Sequence, residues 1–373
     1  MLHAVVLYSV GSPEKADVES LKSFLKNFLS DKLVVRIPRF IWQPVLRSFI
    51  LRSRPERMVS RYKQIFIEEH NPYLISMSRL AYRLECALNQ NCNDLFDDEK
   101  FESTQLNELQ VHAQKENSTS QTTEKFVVRN AFAYAGKSLE KVVKDCVELG
   151  AQKVTLIPLF PQYSDTTTKR PAMELAKIKQ SYKDVEFAMV RSFPDDKEYI
   201  EAITESIKPM LNELLFSIKR KKDEVEDVNS IMKRGKAHVL ITLHSLPQSY
   251  IKLGDPYLNE VEATTKALVA SLGLDEENVS IAYQSKMGPM SWLKPDIEDE
   301  VERLLDKGIS RLLVVAPGFS IDCLETLYDI DINLRERFLS LGGDSFLYVP
   351  ALNHSKSHIK LLSSLVRNNA KAL

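Results

Sequence analysis

"RLLVVAPGFSIDCLETLYDID", residues 311 to 331, changes character at its centre. The first part is apolar without alternation, which is how a strand covered by helices on both faces reads. After Pro317-Gly318 the chain crowds Asp322, Cys323, Glu325, Asp329 and Asp331 into a helical stretch. Strand, loop, helix is the repeating unit of an α/β fold. The same unit recurs outward from this stretch: "AVVLYSV" precedes "ADVESLKSFLKNFL", "VTLIPLF" precedes "RPAMELAKIKQSY", and "HVLITLHS" precedes "LNEVEATTKALVASL". "VSIAYQSK" is followed by "IEDEVERLLDKG", and "FLYVP" by a helix from about Lys356. The pattern predicts doubly wound parallel sheets.

With 373 residues the chain exceeds the ~250 to 300 at which single cores stop growing, so two Rossmann-like lobes are expected. The expected division places residues 1–170 plus 355–373 in one lobe and 171–354 in the other. "LGAQKVTLIPLF" and "KGISRLLVVAPGF" align as an internal repeat through Gly150 and Gly308, Lys153 and Arg311, Pro158 and Pro317, Phe160 and Phe319. Ordinary helix-turn-strand grammar accounts for that match equally well. Residues 91–125 (polar and Ser/Thr-rich) and 217–236 (dense in both charge signs) read as insertions.

A net charge of -1 supplies no general attraction to nucleic acid, and no run approaches the ~20 apolar residues of a membrane span. Cys86, Cys92, Cys146 and Cys323 form no C-x-x-C pair, so neither a disulfide framework nor a zinc knuckle is expected. The chain runs from Met1 almost directly into "HAVVLYSV", without the basic head and apolar core of a signal peptide, so a cytoplasmic protein is expected; a monomer is also expected.

Ligands of open α/β sheets bind beyond the carboxyl ends of the strands. There the sequence puts Tyr8 to Gly11, Pro161 to Ser164, His244 and Ser245, Gln284 to Lys286, and the acidic cluster. On a regular helix Asp322, Glu325 and Asp329 share one face at i, i+3, i+7 spacing. Cys323 reaches that face only if it precedes the helix or the first turn is irregular. A plainer account makes Asp322 a helix cap and the early acids partners of the positive helix end. His244 reads either as a satisfied core histidine or as a proton acceptor that can also bind a borderline metal.

Four blocks in order, "HSLP" (244–247), "GDPYLNEVEATT" (254–265), "YQSKMGPMSWLKP" (283–295) and "PGFSIDCLETL" (317–327), resemble ferrochelatase, which inserts Fe2+ into a porphyrin. The likeness extends through "FLSDKLVVRIPRFIWQPVLRSFILRSRP", "PLFPQYSDTTT" and "YVPALNHS". It implies two doubly wound lobes around a porphyrin cleft, with Fe2+ and protoporphyrin IX as substrates and no organic cofactor. No cysteine follows Cys323, so no iron-sulfur cluster is expected. By motif, His244 and Glu325 correspond to the family's catalytic and metal-contacting pair, and Asp329 extends a proton path outward. Val10, Tyr134, Tyr163, Ser164, Ser245, Ser285, Lys286, Trp292 and Cys323 fall at positions that line or support the cleft; core packing competes for each aromatic. Residues 40–58 match the lip of the active site, whose arginines meet propionates or lipid head groups, giving peripheral membrane contact. An amphipathic helix with solvated arginines is the competing account.

The family's "PQYSCST" reads Pro161-Gln162-Tyr163-Ser164-Asp165-Thr166 here, Gly-Ser-Pro-Leu reads His70-Asn71-Pro72-Tyr73-Leu74, and Gly-Gly-Pro reads Gly11-Ser12-Pro13. These departures keep a second reading open, a noncatalytic tetrapyrrole-binding homologue. A third, a two-lobed small-molecule binder, rests on architecture alone.

Overall fold

The run "LHAVVLYS" forms strand β1 (Leu2–Ser9), buried from His3 onward. In the computed structural model, which describes residues 1–90, 124–216, 218, 227–288, 290–369 and 371–372, parallel neighbours flank it on both sides. They are β2 (Lys125–Phe132) and β3 (Ala151–Pro158). β4 (Glu186–Met189) extends the sheet beside β3, and the two-residue β9 (Lys371–Ala372) closes its edge antiparallel. The second sheet is wholly parallel: β5 (Ala237–His244), β6 (Val279–Gln284), β7 (Arg311–Val315) and β8 (Ser345–Val349), in the order β6-β5-β7-β8.

The first sheet runs β2-β1-β3-β4-β9, so both lobes share one winding in their four parallel strands: second, first, third, fourth. In that order the chain reverses direction across the sheet between the first and third strands, and the crevice for ligands opens at their carboxyl ends. The two sequence segments that resemble each other are β3 and β7, the equivalent third strands. Gly150 and Gly308 precede them with φ of 93° and 83°, a conformation glycine adopts without Cβ strain, where each preceding helix ends.

Sequence reading missed β2 and β4. β2 interrupts its apolar run with Arg129 and Asn130, and β4 is only four residues long. The division at residue 170 also needs correcting. β4 pairs with β3, and the helix Lys169–Lys179 packs on that sheet, so the first lobe continues to Met189. The carboxyl-terminal helix Lys356–Ser364 packs against both the helix Pro72–Asn89 and the helix Lys197–Phe216.

Apolar burial joins the lobes. One continuous cluster takes Val5, Leu7 and Ile157 from the first sheet, Val239, Ile241, Leu243 and Leu313 from the second, and Met77, Ile207 and Leu362 from helices between them. Each fully buried aliphatic side chain contributes about 1.5–3 kcal/mol, so this shared layer sets how the two switch points face.

The helix expected after Cys323 is broken into an α-turn (Leu324–Leu327), a π-helical stretch (Asp329–Leu334) and a last α segment (Arg335–Ser340). Of the insertions, 91–123, 217 and 219–226 lie outside the described residues; Lys125 already belongs to β2, and Asp227 caps a short helix, Val228–Arg234. Cys86 is disulfide-bonded, which corrects the expectation that the cysteines form no disulfide framework. Among the described residues no helix is long and apolar enough to cross a membrane.

Candidate active site

His244 is the last residue of β5, the switch-point strand, and its side chain is exposed. Its Nδ1 lies 2.7 Å from the carbonyl oxygen of Ser245. A carbonyl can only accept, so Nδ1 carries the hydrogen and the neutral ring leaves the Nε2 lone pair free for a proton or a metal. Around this strand end, Ser245 Oγ, Gln284 Nε2, Ser285 Oγ and Trp292 Nε1 are buried without a hydrogen-bond partner among the described residues. Ser285 also holds φ at 67°, a strained value for a residue with a Cβ. Unpaired buried polar atoms gathered beside one exposed imidazole mark a place where a polar ligand or water completes the bonding. Trp292 is drawn in by a bridge to Pro247 and by a bond from Gln248 Nε2 to its carbonyl at 3.1 Å.

Glu325 follows β7, the strand beside β5, on the turn Leu324–Leu327. Cys323 precedes that turn as its N-cap in extended conformation, which satisfies the geometric condition for thiol and carboxylate to meet. Burial and the Glu325 charge push the Cys323 thiol well up. Asp322 is not part of an acidic face. It is buried, and its oxygens accept from Thr326 Oγ1 (2.8 Å), Tyr348 Oη (2.7 Å) and Asn353 Nδ2 (2.7 Å), pinning the loop to the end of β8. Nor does it cap the helix, since Cys323 holds that position.

Asp329 begins the π-helical stretch one turn beyond Glu325. Burial first, then repulsion from Glu325, raises its carboxyl to about 7 despite an Arg61 Nη1 contact at 3.5 Å. Arg61 and Arg54 come from the long helix Leu51–Ile65, which packs on this turn. Burial opposes the Arg54 charge, while Glu325 and Asp329 support it. Burial first, and the Glu325 charge with it, raises the phenols of Tyr62, on the same helix, and Tyr73. Sequence reading missed these neighbours. The signal was present: Arg54 and Arg61 stand seven residues apart, which puts them on one helix face.

The remaining expected residues divide. The Val10 carbonyl accepts from Tyr134 N–H at 3.2 Å, and Tyr134 Oη donates to Asp31 at 2.7 Å under the Arg170 guanidinium. The Tyr134 hydroxyl is therefore committed to a charge network. Ser164 Oγ is committed to Asp255 at 2.9 Å, and the Tyr163 ring lies under the Arg191 guanidinium at 4.3 Å. Lys286 is exposed and pairs with Asp296 at 3.1 Å. The departures are compensated. Asn71 caps the helix Pro72–Asn89 and donates to Ser12 Oγ and the Pro13 carbonyl, both at 2.7 Å. Asp165 takes Lys169 at 2.9 Å and Arg36 at 3.4 Å.

Two four-strand parallel sheets wound alike, with polar groups at both switch points, define a chelatase-like α/β architecture. SirB from Bacillus subtilis, solved with Fe3+, superposes with a TM-score of 0.51 over 98% of this chain and 95% of that one; at 10% identity the likeness is one of fold. The ferrochelatase family model matches residues 2–97 and 99–370. Coproporphyrin III ferrochelatase of Streptococcus mutans is 31% identical over 363 residues, 97% of each chain. Ferrochelatase of Nitrosococcus oceani is 31% identical over 366 residues, 98% of this chain and 86% of that one. The chain belongs to the ferrochelatase family.

Proposed function

We propose that this protein inserts Fe2+ into protoporphyrin IX, with no organic cofactor and no iron-sulfur cluster. Two pyrrole N–H protons leave as four nitrogens bind the metal. The observation that carries the reading is the exposed His244 ring with its Nε2 lone pair free, at the switch point that also leads to Glu325. His244 accepts pyrrole protons, and Glu325 meets the cation. Asp329, held near neutrality by burial and by Glu325, exchanges protons outward under the cover of Arg54 and Arg61.

Purified protein given Fe2+ without oxygen, or Zn2+ as a surrogate, should convert protoporphyrin IX to the metalloporphyrin spectrum. Porphyrin binding without metallation by the wild type would instead select a noncatalytic tetrapyrrole binder. A second substrate, coproporphyrin III, is supported by the name of the Streptococcus mutans relative. Competition of the two porphyrins decides it; a higher kcat/KM for coproporphyrin III would overturn the protoporphyrin choice and leave the chelatase reading standing. Residues 40–58 present Phe40, Ile41 and Phe49 to solvent together with Arg47 and Arg52, which supports peripheral contact to a lipid surface.

A further inference from the structure

We infer that Tyr257 is a positioning residue for His244, and that Asp255, itself fixed by donors from the first lobe, sets Tyr257. The inference rests on the proposed role of His244 as proton acceptor. His244 ends β5, and just beyond it Ser245 N–H donates to the Gln284 carbonyl at 2.8 Å. The His244 carbonyl is taken by Tyr257 Oη at 2.9 Å. Tyr257 is buried among the side chains that join the lobes, and burial pushes its phenol far up, so it remains a donor across the working pH range.

This bond fixes the peptide plane between His244 and Ser245. Loss of the bond frees ψ of His244 and φ of Ser245, the torsions that set where the Ser245 carbonyl, in the next peptide, stands relative to His244 Nδ1, the contact that keeps Nε2 unprotonated. Tyr257 is itself held at its backbone, where its N–H donates to Asp255 Oδ1 at 3.1 Å. Asp255 Oδ2 accepts from Ser164 Oγ at 2.9 Å and from the Asp165 N–H at 3.0 Å, and the Arg36 guanidinium lies 3.9 Å away. Ser164 and Asp165 follow β3, and Arg36 precedes the lip. One buried carboxylate therefore collects donors from the first lobe and passes their position, through Tyr257, to the imidazole of the second.

Tyr257→Phe keeps the ring and removes only the donor. The expected result is a fall in kcat of about tenfold with porphyrin KM changed less than about twofold. The 15N spectrum of His244 should change from the single Nδ1–H tautomer to a mixture. Asp255→Asn should produce the same spectral change to a smaller degree. Thr155→Val, which removes a buried 2.8 Å bond to His3 in the first sheet, should lower Tm without altering kcat or the His244 spectrum. Unchanged kcat and an unchanged tautomer in Tyr257→Phe would leave that hydroxyl a packing role only and overturn the inference. Should the wild type fail to metallate porphyrin, the proposed function falls, and the tautomer comparison still decides whether Tyr257 positions the ring.

Discussion

Asp329 is the carboxyl whose charge the fold perturbs most among those of the site. Burial and the neighbouring Glu325 raise it from 3.8 to about 7, so the folded protein holds this proton more tightly than the unfolded chain does. The associated stabilisation is complete below the unfolded value and is lost as pH rises through about 7. Asp329→Asn should therefore show a Tm advantage over wild type that grows between those limits and then levels off; a difference independent of pH would refute the assignment. His244→Ala and Glu325→Gln should each lower metallation by on the order of 10² or more with little change in Tm, because neither side chain belongs to the apolar core. Metallation rates and circular-dichroism melts check this pair. Retained turnover in His244→Ala would remove the imidazole from the mechanism.

At the scale of elements, the lip is a helix with two faces. Leu46 and Leu51 pack on Leu25, Leu29 and Val35, and Trp42 Nε1 donates to the Leu29 carbonyl at 2.6 Å. Phe40 and Phe49 remain 80% and 70% exposed. Replacing both phenylalanines by Ser should abolish co-sedimentation with anionic vesicles and leave Tm unchanged; vesicle binding that survives would exclude the lip as the contact. Asn71 ties a second element to the site. It caps one helix and supplies two bonds to the loop at Ser12 and Pro13. Asn71→Ala should cost about 1–2 kcal/mol in urea unfolding and raise the porphyrin KM, because loop and helix lose their common anchor.

For the whole molecule, the decisive feature is that the lobes share an apolar layer. Two domains held by a linker would melt separately. Here Ile207, fully buried, packs in the cluster that contains residues of both sheets. Ile207→Ala should lower stability by about 2–5 kcal/mol and shift one calorimetric transition as a unit. Two resolved transitions, with only one displaced, would show the layer to be mechanically weaker than its burial indicates.

Periodicity and strand-end chemistry are local properties, and they were legible in the chain. The unalternating apolar runs announced parallel sheets, and the blocks around His244 and Glu325 carried the likeness to the family because their residue types and spacing are written contiguously. β2 and β4 were harder to read, one for its polar interruptions and the other for its length. The fate of Asp322, Tyr134 and Ser164 depended on partners far away in sequence: Asn353, Asp31 and Asp255. Helical spacing placed Asp322 beside Glu325, whereas the actual helix starts later and then widens into a π-turn, which carries Asp322 into the interior. Arg54 and Tyr62 reach Glu325 only because the lip helix packs on the second lobe. The sequence by itself determined which groups stand at the strand ends. Tertiary packing decided which of them keep a free lone pair or proton and which are consumed in holding the lobes together, because hydrogen-bond saturation and desolvation exist only once distant segments have met.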